Sequence, residues 1–143
     1  MKRIGIEAET PWERHFGYPR AARVGSVVAV SGTVAADGEG RPVGDDAYAQ
    51  TRAILQRIEE AVVRAGGSLG CVVRLRIYWA KDGVADGVRR ALAEVFPGGA
   101  PALTTVRVAG LVSDAFLVEI EADAVVEEDT VRRDPERWDE ASD

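Results

Sequence analysis

Residues 102–126 read Ala-Leu-Thr-Thr-Val-Arg-Val-Ala-Gly-Leu-Val-Ser-Asp-Ala-Phe-Leu-Val-Glu-Ile-Glu-Ala-Asp-Ala-Val-Val, two alternating runs that meet at a turn-prone Val112-Ser113-Asp114. In the first run Thr104, Val106 and Val108 share one face, and Thr105 and Arg107 the other. In the second, Val118, Ile120, Ala122 and Ala124 lie on one side, with Leu117, Glu119, Glu121 and Asp123 opposite. A period of two is the mark of half-buried strands. Three acids on one strand face require basic neighbours or water, and the chain supplies bases on other strands. The segment is expected to close a small sheet.

Working outward, Val72 to Trp79 alternates in the same way, with Val73, Leu75, Ile77 and Trp79 on one side and Arg74, Arg76 and Tyr78 on the other. The Glu119, Glu121 and Asp123 face could therefore pair across strands with Arg74, Arg76 or Arg107. Two helices flank this strand. Ala47, Thr51, Ile54, Leu55, Ile58, Ala61, Val62 and Ala65 form a stripe at 3.6-residue spacing, opened by a cap at Asp45 or Asp46 and closed by Gly66-Gly67. Gln50, Arg57, Glu60 and Arg64 fall on its other side. A second helix from near Asp82 places Val84, Val88, Ala91, Leu92, Val95 and Phe96 on one face and ends at Pro97-Gly98-Gly99.

Toward the N-terminus, Lys2 to Glu7 and the bursts at Val27–Val30 and Val34–Ala36 read as strands, with Gly32 marking a bulge or a close backbone approach. Between them lies Thr10-Pro-Trp-Glu-Arg-His-Phe-Gly-Tyr-Pro-Arg20. Two prolines argue against a helix there, and its aromatics are expected to pack on the core or on a neighbouring subunit. The order is strands, helix, strand, helix, two strands. It is an α+β layout whose helices cover one sheet face and leave the other free for self-association.

A chain of 143 residues makes one domain, burying about 70% of the surface of its unfolded form. That domain is expected to span 1–126, followed by a charged, mobile tail at 127–143, where apolar surface is too sparse to offset ordering. A net charge of −6 opposes a general nucleic-acid surface, and no apolar run could cross a bilayer, so a cytoplasmic setting without membrane or nucleic-acid partners is expected. One cysteine, Cys71, and one histidine, His15, exclude an internal disulfide and any metal site built from Cys and His clusters. No metal and no cofactor are expected.

Val30-Ser31-Gly32, Gly66-Gly67-Ser68, Phe96 ahead of Pro101-Ala102, and Val118-Glu119-Ile120-Glu121, in that order, resemble the YjgF/Rid family, also known as endoribonuclease L-PSP. The resemblance covers about residues 16–126. It implies a six-stranded sheet backed by two helices, a chorismate-mutase-like fold, assembled as a homotrimeric barrel with clefts between subunits. It also implies hydrolysis of enamines and imines derived from amino acids. In the deaminase branch an arginine grips the substrate carboxylate, a strand carboxylate positions water, and a loop tyrosine lines the pocket. Carried over, the carboxylate is Glu119 and the tyrosine Tyr18, and Gly32 joins Tyr18, Leu103, Arg20 and Arg89 as a substrate-binding candidate. The arginine position holds Leu103 and the cysteine position Thr105, so the chain resembles an arginine-lacking branch. A helix position that is asparagine in some members falls near Arg89.

Each candidate has a plainer reading. Glu119 is either an acid/base group or an ion-pair partner of Arg74, Arg76 or Arg107. Thr105 is the second catalytic candidate, a hydroxyl that would need a base to act as a nucleophile, or else a ligand-bonding group or a strand former. Tyr18 is a cleft residue or a packed aromatic. Arg20 could replace the missing anchor if its loop folds over the cleft. Two functions fit: a hydrolase or tautomerase acting on a small enamine, imine or related carbonyl metabolite, and a trimer that binds a small ligand without turnover. Leu103 favours an uncharged or apolar ligand under both.

Overall fold

The computed structural model of the chain describes residues 1–127 and 138–140. Its strands are β1 (Arg3–Ile6), β2 (Ala21–Val24), β3 (Val27–Val34), β4 (Val72–Trp79), β5 (Ala102–Arg107), β6 (Glu119–Val125) and β7 (Trp138–Glu140). The helices are α1 (Pro11–Phe16), α2 (Ala47–Arg64) and α3 (Ala85–Val95). The strands form one sheet in the order β5-β4-β6-β3-β2-β1-β7. Six of them belong to the domain expected at 1–126. Of the charged tail expected at 127–143, only Glu127, whose carbonyl accepts from Arg23 Nη2 at 2.8 Å, and Trp138–Glu140, whose backbone pairs antiparallel with β1, lie among the described residues.

Segment 102–126 does contribute two strands, but they are not neighbours. β4 lies between them, parallel to β5 and antiparallel to β6. The α+β layer holds as expected: α2 and α3 cover one face, and the stripe from Ala47 to Ala65 is buried along its whole length. Asp46 caps α2 by accepting from the amide of Ala49 at 2.7 Å. The Gly66 and Gly67 amides close it by donating to Val63 and Val62, the paired bonds of a glycine-terminated helix. The helices cross closely at Gly87, where a Cβ would lie 2.7 Å from the Tyr48 nitrogen.

Four local expectations are corrected. Pro11–Phe16 is helical, because Pro11 sits at the start where its missing N–H costs nothing, and Gly17 (φ +74) ends the helix before Pro19. α3 begins at Ala85 rather than near Asp82. Val73 is exposed and Val72 buried, since the pairing of β4 with β6 shifts between Val72 and Arg74 and moves the start of the strand out of phase. Gln50, assigned to the outer face of α2, is buried: its amide donates to Gly44 O and Ala115 O and its oxygen accepts from the Leu117 amide at 2.8 Å. It thereby ties the helix to the segment that leads into β6.

Candidate functional site

α1 and the loop after it lie over the end of the sheet and line a half-open cavity of about 130 Å³. Trp12, Phe16, Val34 and Val112 give it an apolar wall, while Glu13, Tyr18, Arg20, Arg57 and Glu119 bring polar groups to it. Trp12 is held edge-on against Phe116, with ring centroids 5.6 Å apart.

Glu119 opens β6, opposite Val34 of β3 and Tyr78 of β4. The pairing of β3 with β6 shifts between Val30 and Thr33, and Gly32 lies in that irregularity. A Cβ at Gly32 would fall 2.4 Å from Glu119 Oε1, so the glycine makes room for the carboxylate. Two of the three arginines that could have neutralised Glu119 are engaged elsewhere. Arg76 meets Asp123 at 3.1 Å and Glu121 at 4.0 Å, and Arg107 pairs with Asp82. Among the described residues no side chain forms a hydrogen bond or ion pair with the Glu119 carboxylate. Burial pushes its pKa above the usual carboxylate range and the Glu121 charge adds to the rise, while Arg20 opposes it.

A second recess, of about 400 Å³, lies on the other side of Glu119. It shares Gly32 and Glu119 with the first and adds Tyr78, Val108, Gly110, Leu111 and Glu121. The Tyr78 hydroxyl donates to Glu121, a bond that raises the phenol's pKa. Glu119 therefore borders both spaces. An unpaired, partly desolvated carboxyl there can accept a proton, donate one, or hold a water.

Arg20 is drawn into the wall. Its side chain is 1% exposed, and its Nη1 pairs with Glu13, also 1% exposed. Its Nη2 donates to Ser31 O at 2.7 Å and to the Thr33 hydroxyl, clamping the β3 irregularity beneath Glu119. Arg57 donates from Nη1 to Val34 O at 2.7 Å, and its Nη2 lies 3.6 Å from both Glu9 and Glu13. The loop does fold over the cavity, as a replacement anchor at Arg20 would require. Its Nη1 and Nη2, however, are taken by Glu13 and by β3, while its Nε has no hydrogen-bond partner among the described residues. Tyr18 is at the cavity, with its phenol pushed up first by burial and then by Glu13, so at neutral pH it remains a hydroxyl donor.

Glu119, Tyr18, Gly32 and Arg20 are thus gathered in one place. Leu103 and Thr105 stand apart on β5, which is exposed along its length, with Leu103 43% exposed. They pair with Leu75 and Ile77, whereas Glu119 pairs with Tyr78, so they belong to the opposite face of the sheet within one chain. Arg89 is on the exposed side of α3 in an ion pair with Asp86 and does not line either recess. His15 is exposed beside Phe16, and Cys71 is half-buried next to Ser68.

Sequence reasoning missed Glu13, Arg57, Tyr78 and Glu121. Glu13 carried a signal: it stands three residues after Thr10, at the spacing of a helix-start box, and accepts from the Thr10 amide at 3.1 Å. Arg57 carried none, being indistinguishable in the pattern from the solvated arginines of α2.

The family model described as endoribonuclease L-PSP matches residues 12–126. An uncharacterised protein of Streptomyces coelicolor is 33% identical over 119 residues, covering 83% of this chain and 89% of its own length. A Mycobacterium tuberculosis crystal structure, described as a member of the YjgF/YER057c/UK114 family, is 40% identical with a TM-score of 0.77, covering 87% of this chain and 99% of that one. A Yersinia pestis protein of unknown function, described as a member of the conserved Rid family, is 27% identical with a TM-score of 0.74 over 87% of this chain and 99% of its own.

Proposed function

Because the chain belongs to the YjgF/Rid family, also named endoribonuclease L-PSP, we propose that it acts on a small enamine, imine or related carbonyl metabolite, by hydrolysis or tautomerisation, with Glu119 moving the proton. The observation that carries this proposal is the Glu119 carboxyl: unpaired among the described residues, partly desolvated, laid over Gly32 and bordering two recesses. A carboxyl whose pKa is raised keeps its proton further toward neutrality. Protonated, it can deliver a proton to an enamine carbon or an imine nitrogen. Ionised, it can take one from the attacking water. In the hydrolysis water adds to the C=N carbon and the C–N bond breaks, giving a carbonyl compound and ammonia.

The catalytic unit in this proposal is a homotrimer. Leu103 and Thr105 lie on an exposed edge strand and on the sheet face opposite Glu119, so only a neighbouring subunit can bring them to a Glu119. In that assembly Leu103 would stand where arginine-bearing members of the family hold a carboxylate. A bidentate, charge-assisted contact of that kind is worth about 1.5–3 kcal/mol, and its loss weakens carboxylate binding by roughly 10- to 150-fold. The preferred substrate therefore lacks a carboxylate. The family's name points to RNA cleavage, but a chain of charge −6 is poorly suited to hold a phosphate backbone.

The test is an assay on imines generated from free amino acids by an amino-acid oxidase, alongside an imine without a carboxylate. The expected result is slow conversion of the first and faster conversion of the second, with Leu103→Arg improving the first by at least about tenfold. Conversion of amino-acid imines by the unmodified protein as fast as that of the carboxylate-free imine would show that another group binds the carboxylate.

A further inference from the structure

Charge at the candidate site is distributed unevenly. The two guanidinium groups at the first cavity, Arg20 and Arg57, pair with Glu13, and Arg57 with Glu9 as well, while Arg20 Nε and Arg57 Nη2 keep no hydrogen-bond partner among the described residues. Both face a carboxylate inside the wall. Glu119 is the ionisable group on the cavity lining that no such partner neutralises, and in the second recess it is joined by Glu121. Among the described residues no lysine, arginine or histidine lines that recess. The phenols of Tyr18 and Tyr78 also border Glu119 and are neutral, while Arg20 in the wall is the cation whose charge reaches Glu119 and opposes the rise of its pKa.

Next to Glu119 the first cavity offers the rings of Trp12 and Phe16. The face of an aromatic ring attracts a cation and stacks on a flat apolar body. A carboxylate ligand would meet Glu119, which no described side chain pairs, and in the second recess also Glu121, which already holds the Tyr78 hydroxyl and lies 4.0 Å from Arg76. An ammonium or iminium would meet the opposite charge of Glu119 in a cavity that Trp12 and Phe16 also line.

We infer that the site selects a small organic cation, an amine or iminium group on a flat apolar body, and rejects anions. The inference rests on the proposed function, since it names the charge of the group that this same site receives. In the hydrolysis the substrate would enter as an iminium ion, the imine with its nitrogen protonated. Water adds to the iminium carbon, the C–N bond breaks, and a neutral carbonyl compound and one ammonium ion leave, so that atoms and charge balance.

Binding of benzylamine, benzyl alcohol and benzoate, which share a ring and differ in charge, tests this by calorimetry at pH 7 and fixed ionic strength. Benzylammonium should bind at least about tenfold more tightly than benzyl alcohol, as a charge-assisted contact implies, and benzoate least of all. Glu119→Gln should remove most of that advantage. In the unmodified protein the advantage should also shrink as the pH falls and Glu119 gains its proton, with benzyl alcohol unaffected. This second arm needs no variant to fold. Benzoate binding as tightly as benzylammonium, an amine preference that persists in Glu119→Gln and at low pH, or no binding of any of the three would each overturn the inference. The charge ranking can fail while Glu119-dependent turnover of a neutral substrate persists, which separates this result from failure of the proposed function.

Discussion

Glu119 is a carboxyl that the folded protein would rather keep neutral, and this has a consequence for stability. Burial is the largest cause of its raised pKa, followed by the Glu121 charge. The folded state therefore holds the Glu119 proton more tightly than the unfolded chain does. Stability from this group is fully present below the unfolded pKa, about 4.3, and is lost as the pH rises through the folded value. Glu119→Gln should raise the melting temperature at pH 7, and the gain should fade as the pH is lowered toward 4. Thermal scans at fixed protein concentration check this. A loss of stability at pH 7 would mean that the carboxylate has a partner that stabilises it. The sequence placed Glu119 on the right face of its strand, since alternation fixes that. It could not show that Arg76 and Arg107 would be taken by Asp123 and Asp82, because cross-strand partners depend on a register that one strand does not contain.

At the scale of elements, α1 is held over the cavity by charge as well as by Trp12. The Glu13 carboxylate is fully buried, receives the Thr10 amide and faces both Arg20 and Arg57. Removing one partner from such a group leaves the others charged in a poor solvent, at a cost of about 3–5 kcal/mol. Glu13→Ala should destabilise the protein by that order in a denaturant titration, far more than an exposed pair such as Arg41–Glu39, which is worth at most about 1 kcal/mol. α1 also shows where pattern reading stops. Pro11 and Pro19 around a run of aromatics read as a loop, yet the first proline only starts a helix and the second only follows its glycine stop. By contrast, the stripe of α2 and the alternation of β6 were legible residue by residue, because each buries a continuous face against a single core. Val73 and Gln50 escaped for related reasons. A register shift and a buried side-chain amide both break the period on which the reading depends.

At the scale of the molecule, the sheet is half covered. The helices bury Leu75, Ile77, Ile120 and Ala122, while Val27, Val73 and Val125 on the sheet and Val106 on its edge strand remain exposed in the single chain. Apolar residues placed this way are expected to be buried between copies, which would also bring Leu103 and Thr105 to a neighbouring Glu119. Sedimentation equilibrium at micromolar concentration should return about three times the 15.3 kDa chain mass. A monomer would leave the site without its β5 wall.

The central claim is that Glu119 moves a proton on a bound metabolite. It is tested most directly by the turnover of a carboxylate-free imine by the unmodified protein and by Glu119→Gln, compared at pH 7 with assembly verified for both. Loss of a general acid/base group lowers the rate by about 10²- to 10⁴-fold, and a fall of that size with the fold intact is the predicted result. Equal turnover by the two proteins would contradict the account, and a protein that binds the imine without converting it would be a ligand-binding trimer instead.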